Sequence, residues 1–178
     1  MNKNFDMKTS GILKFLTLAL FVAGGLSLQA QSTAAYEAEN EGWLVSLDEA
    51  YAQSKKTGKP IMANFTGSDW CGWCKRLTAS VFSKPDFKQW AAENVVLLEL
   101  DFPKRKKLPD AIRSQNAGLQ RAFKITGYPT VWVFDLDKKD PNAQYNISAL
   151  GKTGYSPSVE KFTTGVDQMI AKRVKTGS

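Results

Sequence analysis

The 178-residue chain reads as an α/β domain built on a central mixed β-sheet with α-helices on both faces. Three observations predict this. Strand-like and helix-like segments alternate along most of the chain, which implies parallel pairing through helical crossovers. Two strand-like segments, Pro60 to Thr66 and Val95 to Leu100, are apolar on both faces, as central strands covered from both sides are. Near the C-terminus two strand segments follow each other with no helix between them, and this hairpin adds an antiparallel edge.

The elements follow in order. Lys3, Lys8 and Lys14 lead into an apolar stretch from Phe15 to Leu28 that ends in Leu28-Gln29-Ala30. This is the pattern of a secretory signal peptide cut after Ala30. The stretch is about 14 residues, short of the ~20 that a membrane-spanning helix needs. Residues 31–42 are polar and alanine-rich, a flexible leader, and residues 43–178 form the domain. Trp43-Leu44-Val45 suggests a short strand. Ser46 caps a helix, with Glu49 three residues on completing a capping box, and Gly58 stops it. The strand from Pro60 to Thr66 comes next. A helix then places Cys74, Leu77 and Val81 on one face. Ser83, with Pro85 and Asp86, opens a further helix whose apolar stripe is Phe87, Trp90 and Ala91. After the strand Val95–Leu100, a helix from Asp110 to Phe123 carries Ile112, Leu119, Ala122 and Phe123. Val131 to Phe134 is a strand, Asp135 to Asn142 is rich in turn residues, and Gln144 to Leu150 is its hairpin partner. Ser156 and Pro157 open the last helix, with Val159, Phe162, Val166, Met169 and Ile170 inward.

The only two cysteines, Cys71 and Cys74, stand where the first central strand meets its helix, in Trp70-Cys71-Gly72-Trp73-Cys74-Lys75. An exported domain stabilised by disulfides normally carries several cysteines. A bridge over three positions closes too small a loop to restrain the unfolded chain much, so a working redox pair fits better than a staple. Two thiolates supply half a tetrahedral zinc site, and the chain has no histidine and no further cysteine. The lack of histidine also removes Cys–His acyl chemistry and most haem ligation, so no metal or other cofactor is expected. Net charge is +7, with the densest basic run at Lys104-Arg105-Lys106-Lys107. Without interleaved aromatics this run argues against nucleic acid and reads as a solvated loop, one that could steer acidic protein partners.

The Cys-Gly-Trp-Cys motif after an apolar strand, and Gly127-Tyr128-Pro129-Thr130 before another, resemble the two signatures of the thioredoxin superfamily. Pro129 follows Cys71 by 58 residues. The Gly67-Ser68-Asp69-Trp70-Cys71 lead-in is most similar to exported, single-domain members. The resemblance spans about residues 43–172 and implies a thioredoxin-like fold with thiol–disulfide oxidoreductase activity. Cys71 would then be the nucleophile, at a helix start where unpaired backbone N–H groups favour its anion. Cys74, one turn further in, would resolve the mixed disulfide. The resemblance also makes the Tyr128–Pro129 bond cis and lines a substrate groove with Trp70, Trp73, Tyr128, Pro129 and Thr130, where an extended partner segment would pair.

Oxidising relatives tend to hold a histidine between the cysteines. Gly72 and Trp73 offer no cation, so a potential on the reducing side is expected. The expected activity is reduction of protein disulfides in the periplasm or outside the cell, recharged by a membrane thiol–disulfide electron donor. The rival readings are an isomerase or oxidase on the same site, or a non-catalytic module that binds peptides. In one place the chain departs from the family. Asn64 stands where thioredoxin has a buried Asp, and Leu97 where it has the neighbouring Lys. Asp69 is expected to face solvent, so no base for Cys74 is evident.

Overall fold

A computed structural model describes residues 36–173. The expected signal segment and its cleavage site lie outside these residues. Ten elements follow in order: α1 (Leu47–Thr57), β1 (Ile61–Thr66), α2 (Gly72–Leu77), a π-helical turn (Thr78–Phe82), α3 (Pro85–Asn94), β2 (Val96–Asp101), α4 (Asp110–Ala122), β3 (Thr130–Asp137), β4 (Asn146–Thr153) and α5 (Val159–Ile170). The four strands form one mixed sheet in the order β2-β1-β3-β4. Among the described residues no helix is long and apolar enough to cross a membrane.

Every residue of β1 is buried, and side chains alternate across the sheet as a strand requires. Ile61, Ala63 and Phe65 join Leu98, Leu100, Leu119, Phe123 and Phe134 in a core on one face, with α1 and α4 above it. Met62 points the other way, into a core with Leu77, Val81, Phe82, Phe87, Phe162 and Val166. α2, the π-helical turn, α3 and α5 cover that second face. Phe82 and Phe162 meet edge to face at 5.5 Å in its centre, an arrangement favoured by the ring quadrupoles.

β1 and β2 run parallel, as alternation predicts, but β1 and β3 are antiparallel. α4 and the loops flanking it therefore return the chain to the end of the sheet it left. Thr66 pairs with Asp101 and Phe65 with Thr130, so the C-terminal ends of β1 and β2 and the start of β3 gather at one edge. β3 and β4 form the expected hairpin, with a register shift between Val133 and Phe134.

Several local expectations are corrected. Trp43–Val45 forms no strand; Leu44 makes a single parallel bridge to Leu98. Ser46 does cap α1, accepting the Glu49 N–H, and Gly58 ends it at φ 72°, a backbone conformation open to glycine. The N-cap of α3 is Lys84 and not Ser83. Proline forces the residue before it into extended backbone, and Ser83 is already used by the π-helical turn, its N–H bonded to Thr78 O at 2.9 Å. α5 is capped by Ser158, whose hydroxyl accepts the Lys161 N–H. Ser156 is instead buried, and its carbonyl accepts the Ser80 hydroxyl at 2.9 Å. On α4, Ala122 faces solvent and the buried position is taken by Asn116. Residues 36–42, expected in the flexible leader, are tied to β2. The buried Glu99 carboxylate accepts the backbone N–H of Glu39 at 2.7 Å and the Asn40 side-chain amide at 2.6 Å.

Candidate active site around Cys71 and Cys74

β1 ends at Thr66, and the next five residues form a tight loop that delivers Cys71 to the start of α2. Gly67 O accepts the N–H groups of Trp70 at 3.2 Å and Cys71 at 2.8 Å. A Cβ on Gly67 would run into the Trp70 indole, 2.6 Å from its Nε1, so only glycine lets the ring fold back over the turn. Cys71 is the N-cap of α2. Its Sγ accepts the Cys74 N–H at 3.1 Å, a helix-start bond that favours negative charge on that sulfur. The two cysteines are joined in a disulfide with Cα atoms 5.3 Å apart, within the range such a bond requires. Cys71 is 6% exposed and Cys74 2%, so the outer sulfur is Cys71.

Three consecutive residues fasten this loop to the end of β2 and the segment after it. The buried Asp101 carboxylate accepts the Ser68 N–H at 2.9 Å and its hydroxyl at 2.6 Å. The Asp69 carboxylate accepts the N–H of Lys104 at 3.0 Å and of Arg105 at 2.6 Å. Trp70 Nε1 donates to Phe102 O at 2.8 Å. Asp69 thus caps the basic loop from the solvent-facing side. Desolvation pushes its carboxyl upward, but the backbone N–H groups of Lys104, Arg105 and Lys106 outweigh this and hold it below the ordinary value. Lys106 ion-pairs with Asp101 at 3.1 Å and with Glu39.

The proline signature lies alongside. The Tyr128–Pro129 bond is cis. Thr130 pairs with Phe65, so Pro129 immediately precedes β3 beside the end of the strand from which the cysteine loop leaves. Tyr128 meets Trp70 edge-on at 5.7 Å and Phe102 at 5.4 Å, and its hydroxyl accepts a 2.6 Å hydrogen bond from Gln120. Thr130 donates its hydroxyl to Gly127 O at 2.8 Å, closing the turn. Trp73 makes its aromatic contact elsewhere. It is 53% exposed, 5.0 Å from Tyr155, with the Arg76 guanidinium 4.6 Å above its ring. The exposed large apolar side chains among the described residues are Trp70, Trp73 and Tyr155, and Trp70 and Trp73 flank Cys71 in sequence.

Asn64 is 2% exposed and its Oδ1 has no hydrogen-bond partner. It shares the sheet face of Met62, beneath α2. The β2 residue opposite it is Glu99, while Leu97 pairs with Met62. Burial raises the Glu99 carboxyl above its ordinary value against the opposing bonds from Glu39 and Asn40, and those bonds turn it towards the leader. Asp101, Phe102, Gln120 and Tyr155 were not identified from sequence. Asp101 and Phe102 end an apolar strand, where a loop-holding role carries no motif, and the other two are single residues in unremarkable helical and loop contexts.

Residues 42–135 match the family described as Thioredoxin-like. The chain is 33% identical over 127 residues to the disulfide bond reductase DsbH of Chlamydia pneumoniae, covering 71% of this chain and 70% of that protein. A solved structure of a DsbH oxidoreductase superposes with a TM-score of 0.63 at 30% identity, over 76% of this chain and 88% of that one. The thiol:disulfide interchange protein DsbD of Klebsiella pneumoniae is 32% identical over 97 residues, 54% of this chain but only 14% of that protein.

Proposed function

The chain belongs to the thioredoxin-like family, and on that premise we propose that it is an exported thiol–disulfide oxidoreductase that reduces protein disulfides through Cys71 and Cys74. Residues 1–30 serve as the export signal and residues 43–178 as the working domain, in the periplasm or outside the cell. The observation that carries the reading is the position of Cys71. It is the outer sulfur of the pair, it caps α2 while accepting the Cys74 N–H, and it sits in a loop held at three successive residues.

In the reduced protein the Cys71 thiolate attacks one sulfur of a partner disulfide. A Cys71–partner bond forms, the partner S–S bond breaks, and the partner's second sulfur leaves as a thiolate that takes up a proton. Cys74 then loses its proton and attacks Cys71 Sγ, the Cys71–partner bond breaks, and the partner sulfur held in that bond leaves as a thiolate that is protonated in turn. Two electrons have passed to the partner, and this protein is left with the Cys71–Cys74 disulfide. A membrane thiol–disulfide protein returns the two electrons. Trp70, Tyr128, Pro129 and Thr130 form the groove that holds the partner segment, and Trp73 offers an apolar contact on the opposite side of Cys71. The pairing of both cysteines with this groove favours catalysis over a purely peptide-binding role.

A Cys74→Ala variant tests the reading. It lacks the resolving sulfur, so discrete mixed disulfides should accumulate on a non-reducing gel of cells that make it, and they should vanish when Cys71 is replaced as well. No trapped species, together with no reduction of protein disulfides by the wild type, would overturn the proposal. Direction is checked by equilibration with glutathione. A midpoint near the about −120 mV of a strong oxidant would make the protein a donor of disulfides instead.

A further inference from the structure

We propose that the basic loop Lys104–Lys107 and the aromatic groove beside it form a docking surface for an acidic polypeptide segment adjoining the partner's disulfide. The inference rests on the function proposed above and names the chemistry of its client.

The loop is held against the active site by its backbone and by the Lys106 ion pairs. The side chains of Lys104, Arg105 and Lys107 make no salt bridge among the described residues. The N–H groups of Lys104 and Arg105 bind the Asp69 carboxylate, two residues before Cys71. That carboxylate is thereby committed to the backbone. Asp101, the other acid at this edge, is buried and bonded to Ser68 and Lys106. The carboxylates nearest the dithiol are thus occupied. The cations are not: among the described residues, Lys75, Arg76, Lys104, Arg105 and Lys107 take part in no salt bridge. Arg76 lies over Trp73 and Lys104 over Trp70, the latter at 4.2 Å, so each exposed indole flanking Cys71 carries a positive charge on its face. Such stacking leaves a cation able to bind an anion while its ring meets the apolar part of the same segment.

The groove continues beyond the aromatics. Phe102 contacts Tyr128, and Gln120 bonds its hydroxyl. Both residues also line a cavity of about 550 Å³ whose walls carry Lys106 paired with Asp101, Arg113 paired with Asp110, and Lys107 in no salt bridge among the described residues. A segment laid along Tyr128 would therefore pass from the sulfur, over Trp70, into a recess whose unpaired charge is Lys107. Charge of one sign around a cleft raises the encounter rate of the opposite sign by about tenfold or more. It also selects against like-charged partners. The preferred client is a protein whose reducible cysteine is followed or preceded by a cluster of Asp and Glu.

Two disulfide peptides of equal length test this, one with acidic and one with basic residues flanking the same bridge. Each rate of oxidation of the pre-reduced protein is divided by the rate for dithiothreitol, a neutral dithiol that corrects for the intrinsic reactivity of each peptide. The wild type should favour the acidic peptide by about tenfold at low salt, and the preference should shrink at high ionic strength, where charges beyond about 3 Å are screened at 1 M. It should disappear in an Arg105→Glu/Lys107→Glu variant, with a normal thermal transition showing that the variant is folded. Equal normalised rates for both peptides in the wild type would overturn the docking surface while leaving the oxidoreductase reading intact. Failure to exchange with either peptide would overturn both. A preference that survives high salt and the double substitution would also overturn the inference, because the selectivity would then lie outside the loop.

Discussion

Around the dithiol, neighbouring residues that look alike in sequence do different work. Asp69 and Asp101 both bind the cysteine loop to the segment after β2, Asp69 through backbone N–H groups and Asp101 through Ser68. Glu99, two residues earlier, is turned to the leader. None of the three is placed as a base for Cys74. Asn64, beneath α2, has a buried amide oxygen with no partner, and an amide exchanges no proton near neutral pH. Replacing Asn64 with Asp should therefore speed the resolution step. Stopped-flow reduction of a protein disulfide should show an acceleration of about tenfold or more, within what a positioned general base supplies. The carboxylate would be buried one strand away from Glu99, so the same variant should lose about 1–3 kcal/mol of stability. An unchanged resolution rate would refute the assignment. The substitution of Asn64 was legible from the alignment of motifs; its lack of a hydrogen-bond partner was not, because that depends on what α2 and β2 place around it.

At the scale of elements, the apolar periodicity located every α-helix and each long strand, and the errors fall at element ends and at Trp43–Val45, which makes only a bridge. Ser83 and Ser156 both precede a proline and read as caps, yet Lys84 and Ser158 hold those positions. In both cases the serine is already engaged with the π-helical turn, Ser83 through its N–H and Ser156 through its carbonyl. That turn buries both Val81 and Phe82, a change of helical phase that no local pattern announced. Ser158→Ala should cost about 1 kcal/mol, the usual loss of an N-cap, read as a lower urea midpoint with unchanged slope. A midpoint equal to that of the wild type would return the capping role to Ser156. The antiparallel placing of β3 was likewise beyond local reading. A helix between two strands suggests a parallel crossover, and only the loops around α4 bring Thr130 back to the cysteine edge.

Across the whole molecule, the sheet separates two cores, and the second face carries acids as well as apolar groups. Glu99 and Asp101 stand on the side of Met62 and are satisfied by the leader, by Ser68 and by Lys106. Tyr36 is also close to these charges, and its buried hydroxyl has no hydrogen-bond partner. Burial first, then the charge of Asp101, push its hydroxyl up to about 12 against the opposing pull of Lys106. Glu99 should give stability a pH dependence in the acid range. Its carboxyl is raised by burial above its ordinary 4.5, so the folded state binds that proton more tightly than the unfolded chain. Its contribution is fully present below the ordinary value and is lost as pH rises through the raised one. A Glu99→Gln variant should remove this decline, so that the stability difference, wild type minus variant, falls with pH across that window. Denaturant unfolding at a series of pH values measures it, and a difference that stays flat or rises with pH would show that Glu99 is not the titrating group.

The sequence by itself determined the fold class, the dithiol and the proline opposite it. These rest on residue type, spacing and periodicity, which are local properties of a chain. The tertiary structure alone decided how the site is held and what faces it. Asp101 and Asp69 acquire their roles because β1 and β2 end, and β3 begins, at one edge, and pairing between strands far apart in sequence is set by packing on both faces of the sheet. The basic loop shows the same division. Its charge was plain in the sequence, but only its backbone bonds to Asp69 bring that charge beside Cys71.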